Sequence, residues 1–136
     1  MDKVLFRGKC TENGEWIYGF YAESGERKYI LMDGFAVGYV TMKEVVPDTV
    51  GQYTGLTDKN GVKIFEGDIG RYTQTDGARL NGKRIVCTGK VIYNEKTASY
   101  AVDGRDETGV KYYDYFSIKD FEVISNMHDN TELLEV

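Results

Sequence analysis

Val50-Gly51-Gln52-Tyr53-Thr54-Gly55-Leu56-Thr57-Asp58-Lys59-Asn60-Gly61-Val62-Lys63-Ile64-Phe65-Glu66-Gly67-Asp68-Ile69 is the stretch whose reading sets the fold. Val50, Gln52, Tyr53, Thr54 and Leu56 have strand composition. Asp58-Lys59-Asn60-Gly61 is a strong turn signal, and Asn-Gly is expected to supply the positive φ angles of a tight hairpin. Residues 62–65 return as a second strand. Glu66-Gly67-Asp68 then makes an abrupt corner, in which Gly67 allows a backbone other residues resist and Asp68 can bond neighbouring amides. Corners in which Gly-Asp leads into a β-strand commonly open small SH3-like barrels, an analogy of fold and not of function.

Upstream, residues 4–9 read as a strand, Thr11-Glu12-Asn13-Gly14 as a turn, and Glu15-Trp16-Ile17-Tyr18-Gly19-Phe20-Tyr21 as the return strand. Alternation places Trp16, Tyr18 and Phe20 on one face and Ile17 and Tyr21 on the other. With apolar residues on both faces, this hairpin is expected to be wrapped by later chain. Ser24-Gly25-Glu26-Arg27 turns again, residues 29–32 form a short strand, and residues 35–42 lead outward. Pro47 cannot donate to a ladder, so we place a soft boundary there between an N-terminal lobe, 1–47, and a C-terminal lobe, 48–136, sharing one compact unit.

Downstream, the polar, Gly-bearing residues 70–84 are either a long loop or an exposed hairpin. Strands are expected at residues 85–93, 99–102, 112–116 and 121–124, a charged loop at 103–109, a single helical turn at 117–120, and a short terminal helix capped by Asn130. Short strands with turns every 8–12 residues predict a mainly β protein. The expected architecture is antiparallel, an SH3-like or pseudo-barrel C-terminal lobe packed on an N-terminal β-hairpin lobe, with one or two short helical turns.

The 136 residues suffice for a core without a metal or disulfide, and eleven Tyr and six Phe supply much of the burial. No apolar run is long enough to span a bilayer, and Arg7 interrupts any signal-peptide core at the start. A cytoplasmic protein is therefore expected, with Cys10 and Cys87 reduced and buried. Net charge is −5 but uneven: residues 71–96 hold six cations against two acids, and residues 103–136 hold nine acids against three cations. The acidic total argues against a general nucleic-acid coat, while the basic segment keeps a local nucleic-acid reading open.

The organising stretch, with the ending Phe121-Glu122-Val123-Ile124-Ser125-Asn126-Met127-His128-Asp129-Asn130-Thr131-Glu132-Leu133-Leu134, resembles the YopX family of bacteriophage and prophage proteins. The opening Phe6-Arg7-Gly8-Lys9 and the hairpin Asn13-Gly14-Glu15-Trp16-Ile17-Tyr18-Gly19 resemble it too. Near the end the chain has Ser125, His128 and Thr131 where the family pattern has Gly, an aromatic and Pro. The resemblance implies a mainly β fold, a phage origin, action in the cytoplasm of the bacterial host and no catalytic residues to carry over.

Candidate chemistry is sparse. His128 is the only histidine and sits in an expected surface turn, so no triad is suggested. One His and two distant Cys offer no metal site, there is no phosphate-binding Gly loop, and no cofactor is expected. Glu66 and Asp68 are better explained by the corner than by a carboxylate pair, which leaves a small carboxylate-based enzyme as the remotest reading. The primary reading is a non-enzymatic module that binds a host or phage protein, or itself as a homo-oligomer, through Tyr112, Tyr113 and Tyr115. The alternative is a nucleic-acid-binding module in which Arg71, Arg79, Lys83 and Arg84 neutralise phosphates and Tyr72 stacks a base.

Overall fold

In the computed structural model, residues 5–32, 41–75, 84–115 and 120–129 are described, the side chains of Thr75 and of residues 113–115 excepted. The chain folds as two units, Met1–Gly55 and Leu56–Val136. The division lies at Gly55 rather than at Pro47, because the strand after the proline pairs with the first strand of the chain. Phe6 pairs with Gln52, and Arg7 with Gly51.

The first unit is a meander. Strands β1 (Phe6–Lys9), β2 (Trp16–Ser24), β3 (Arg27–Met32) and β4 (Thr41–Val45) pair antiparallel in succession, and β5 (Gly51–Thr57) lies beside β1, giving the order β4-β3-β2-β1-β5. Pro47 opens a 3-10 turn, Pro47–Thr49, that fastens the segment back to β1: the Lys9 N–H donates to Thr49 Oγ1 at 2.9 Å. An isolated bridge between Cys10 and Val45 ties the end of β4 to the chain just past β1. Ile30, Val45 and Cys10 are buried on the inner side, and the Phe6 and Tyr21 rings meet at 5.3 Å. Gly8 is required there, because a side chain would run into Val45.

The second unit begins with a hairpin between the end of β5 and β6 (Lys63–Phe65), followed by β7 (Asp68–Thr75), β8 (Arg84–Asn94), β9 (Ser99–Asp106), β10 (Lys111–Tyr115) and β11 (Glu122–Asn126). The last five form an antiparallel sheet in the order β10-β9-β8-β7-β11. The mainly β, antiparallel architecture expected from sequence is therefore present. In this unit it takes the form of an open order rather than a closed barrel, with β10 and β11 unpaired to each other among the described residues.

Of the two readings of residues 70–84, the exposed hairpin fits: Thr75 and Arg84 are antiparallel partners, with the connection outside the described residues. The charged loop expected at 103–109 is shorter, since β9 continues to Asp106. The helical turn at 117–120, apart from Asp120, and the terminal helix also lie outside the described residues.

One row of the second sheet explains its core. Val123, Gly70, Gly89, Gly104 and Tyr112 are successive register partners across five strands, so they share a face. Three adjacent glycines leave a flat floor. A side chain at Gly70 would collide with the Phe121 ring, and one at Gly104 with the Tyr72 hydroxyl. Tyr72 and Phe121 lie stacked there at 6.0 Å, among buried Ile64, Cys87, Val91 and Val102.

Candidate binding surfaces

The acidic residues that chemistry could use are occupied by turns. The Asp58 N–H donates to the Val62 carbonyl (2.7 Å), the Gly61 N–H to the Asp58 carbonyl (3.0 Å), and Asp58 Oδ1 accepts the N–H groups of Asn60 and Val62 at 2.8 and 2.9 Å. Asp106-Glu107-Thr108-Gly109-Val110 repeats that pattern, with Asp106 Oδ1 accepting from the Thr108 and Val110 N–H groups at 2.9 and 3.0 Å. In both loops only the glycine takes positive φ, +82° at Gly61 and +88° at Gly109. The turn is thus a type I turn closed by a left-handed glycine, and Asn60 does not take the positive φ expected of Asn-Gly. Asn13 does not either.

The second oxygen distinguishes the two aspartates. Asp58 Oδ2 accepts the Val123 N–H at 2.9 Å, and the Lys59 N–H donates to the Phe121 carbonyl at 3.1 Å, which pins the start of β11 to the hairpin. Burial pushes the Asp58 carboxyl up, but the N–H groups of Val123, Val62 and Asn60 outweigh it and hold the group below its ordinary value. Asp68 turns the corner as expected, accepting the Phe65 N–H at 2.8 Å. Asn126 closes the terminal turn, its Oδ1 accepting from the His128 and Asp129 N–H groups at 3.0 and 2.9 Å. Cys10 and Cys87 are free thiols, buried in different units. Among the described residues, no group of three or more His, Cys, Asp and Glu could hold a metal ion. No helix among them is long and apolar enough to cross a membrane.

The residues singled out for nucleic-acid binding are dispersed. Tyr72 is 1% exposed, so the ring expected to stack on a base belongs to the core. Its position is set by pairing with Cys87 on the glycine-floored face. Arg71, on the opposite face, is exposed. Arg84 is exposed as well, 3.8 Å from Asp120 and bonded to the Thr73 hydroxyl. Arg79 and Lys83 lie outside the described residues.

Of the three tyrosines assigned to an interface, Tyr112 is half-buried and packs against the core, with its hydroxyl 3.4 Å from Asp106 Oδ2. It is a core residue rather than an exposed ring. The backbones of Tyr113 and Tyr115 pair with Asp103 and Ala101, and their side chains lie outside what is described.

A different aromatic face is exposed, in the first unit. Phe20 pairs with Leu31, and Leu31 with Met42, so the three form one row across β2, β3 and β4, with Tyr18 one step along β2 on the same face. Phe20 is 54% exposed, Met42 57% and Tyr18 47%. Trp16 continues the stripe, half-buried beneath the Arg7 guanidinium at 4.6 Å and the Lys9 ammonium at 5.5 Å. The expectation that later chain wraps both faces of this hairpin fails for this face. Alternation had already grouped Trp16, Tyr18 and Phe20. What sequence reasoning lacked was the register that adds Leu31 and Met42, since residues 35–42 gave no strand signal.

Among solved structures, the chain is similar to protein EF1440 from Enterococcus faecalis, with a TM-score of 0.54, 23% identity, and coverage of 98% of this chain and 99% of that one. At that identity the likeness speaks to the fold. No curated protein matches the chain. The family described as YopX protein matches residues 5–135, nearly the whole length, and the chain belongs to the YopX family.

Proposed function

We propose that the chain is a non-enzymatic accessory protein of a bacteriophage or prophage, acting in the host cytoplasm, that binds a host or phage protein through the outer face of β2, β3 and β4. The observation that carries this reading is the registered row Phe20–Leu31–Met42 with Tyr18 beside it. A half-solvated antiparallel sheet ordinarily turns polar residues outward. Here large apolar side chains point outward in a contiguous group, the arrangement that marks a protein contact. Tyr, Phe and Met are enriched in interface cores, and burying one such side chain is worth about 1.5–3 kcal/mol. The buried carboxylates are engaged by backbone amides, which supports a binding role over a carboxylate-based reaction.

The test is capture from a lysate of the bacterial host, comparing the native chain with a Phe20→Ser, Met42→Ser double variant of unchanged circular dichroism. The reading expects a discrete set of proteins retained by the native chain and lost by the variant. A second copy of the chain as the occupant would appear as a dimer in sedimentation that the variant abolishes. Identical captures, with both proteins monomeric, would defeat the reading.

A further inference from the structure

The outer face of the second sheet has its own row. Glu122, Arg71, Thr88, Arg105 and Lys111 are successive register partners across β11, β7, β8, β9 and β10. Arg71 and Lys111 are exposed and Arg105 is half-exposed. The next row on this face brings Lys90 of β8 opposite Asp103 of β9. From this arrangement we infer that the face is a binding site for the phosphate backbone of a single-stranded nucleic acid, with Arg71, Arg105 and Lys111 as the contacting cations.

Topology makes this site, not a linear basic segment. Residues 103–136 are net acidic, yet two of their three cations stand in line with Arg71. Of the acids in that stretch, Asp106 lies on the opposite, core-facing side, opposite Cys87, and is held in its turn. Two acids beside the cationic face lie within ion-pair distance of other cations, and a third is the register partner of one. Glu122 is 3.8 Å from Lys59, Asp120 is 3.8 Å from Arg84, and Asp103 faces Lys90 in register. Neighbouring strands are about 4.8 Å apart, so the three cations span roughly 14 Å in a line across the strands. A line of cations across the strands fits an extended strand, whose phosphates follow a shallow path; a duplex would need an element reaching into a groove. Tyr72 is turned inward, so phosphate contacts carry the affinity and little sequence preference is expected.

The experiment is fluorescence anisotropy of a labelled oligo-dT twenty-mer with the full chain, titrated at several salt concentrations. Three phosphate contacts to a single strand predict a log–log salt slope of about −2, or roughly 16-fold weaker binding at 200 mM than at 50 mM salt. Arg71→Glu, Arg105→Glu, Lys111→Glu together should remove at least about tenfold in affinity and flatten the slope, by the loss of counterion release. The matching variant with Lys at positions 71 and 105 should keep both, which separates charge from folding. No binding at low salt overturns the inference. So does loss of binding in an Arg79→Ser, Lys83→Ser variant with none in the glutamate variant, tighter binding of duplex than of single strand, or equal displacement by inorganic polyphosphate. The Phe20→Ser, Met42→Ser variant should bind the oligonucleotide as the native chain does, so failure of one surface is distinguishable from failure of the other.

Discussion

The two units distribute their large side chains in opposite ways. In the first, Tyr18, Phe20 and Met42 stand on the outer face of the sheet. In the second, Tyr72 and Phe121 lie inside, and the outer face carries Arg71, Arg105 and Lys111. Both units contain aromatic-rich strands with the same period-two alternation, so composition does not decide which rings become core. The glycines opposite them do. Gly70, Gly89 and Gly104 align into a floor on which two rings can lie flat. No such floor lies under Phe20, whose row partners are Leu31 and Met42. Aromatics pack inward where the sheet makes room for them, and otherwise remain at the surface.

Filling the floor should do the most damage. Gly70→Ala drives a methyl group into the Phe121 ring and should cost about 3 kcal/mol, the upper range of overpacking. Urea denaturation measures it, and a loss below about 1 kcal/mol would mean that the floor is not what seats the rings.

Next in size is the tie between the hairpin and β11. Asp58→Ala leaves the N–H groups of Asn60, Val62 and Val123 without their acceptor and should cost about 2–3 kcal/mol, as for buried bonds to a charged group. The same bonds give a pH dependence. Because the folded protein holds Asp58 below its ordinary value, its contribution is complete above the ordinary carboxylate pKa of about 4. It is lost as pH falls through the lowered value. Stability followed from pH 6 to pH 2 should therefore drop more steeply in the native chain than in Asp58→Ala, and parallel curves would refute the assignment.

Smaller effects fall on the outer faces. Phe20→Ser with Met42→Ser should change stability by no more than about 0.5 kcal/mol per site, because side chains already in water lose little. A cost of 2 kcal/mol or more would make the row a piece of core. Of similar size is Arg84→Ala, which removes an exposed pair with Asp120 and should cost about 0–1 kcal/mol in thermal unfolding.

Much of the fold was legible in the sequence, and the reasons for the rest are physical. Local signals read well: strand composition in β5 and β8, the corner at Asp68, and the turn near residue 60, while the loop expected at 103–109 is a turn confined to the residues after Asp106. Asn60-Gly61 is the local signal for the first of these, yet in both turns the aspartate three residues before the glycine does the organising, through its own side chain. Asp-x-x-Gly-Val at 58–62 and again at 106–110 was a readable repeat of that device.

The surfaces were not legible, because each is a property of register. Phe20 and Met42 are twenty-two positions apart, and Arg71 and Lys111 forty; only pairing places them in single rows. Tyr72 illustrates the limit from the other side. Its neighbours in sequence made it part of a basic loop, and its partners across the sheet make it core.

The central claim, that the face bearing Phe20 and Met42 meets another protein, is most directly tested by the reactivity of Met42. Dilute peroxide should convert exposed Met42 to its sulfoxide readily in the purified chain, with half-buried Met32 and Met127 reacting more slowly as internal references. After equilibration with host lysate and recovery of the complex, the account predicts strong protection of Met42 with the references unchanged. Met42 oxidised at the same rate in the free chain and in the recovered material would contradict it.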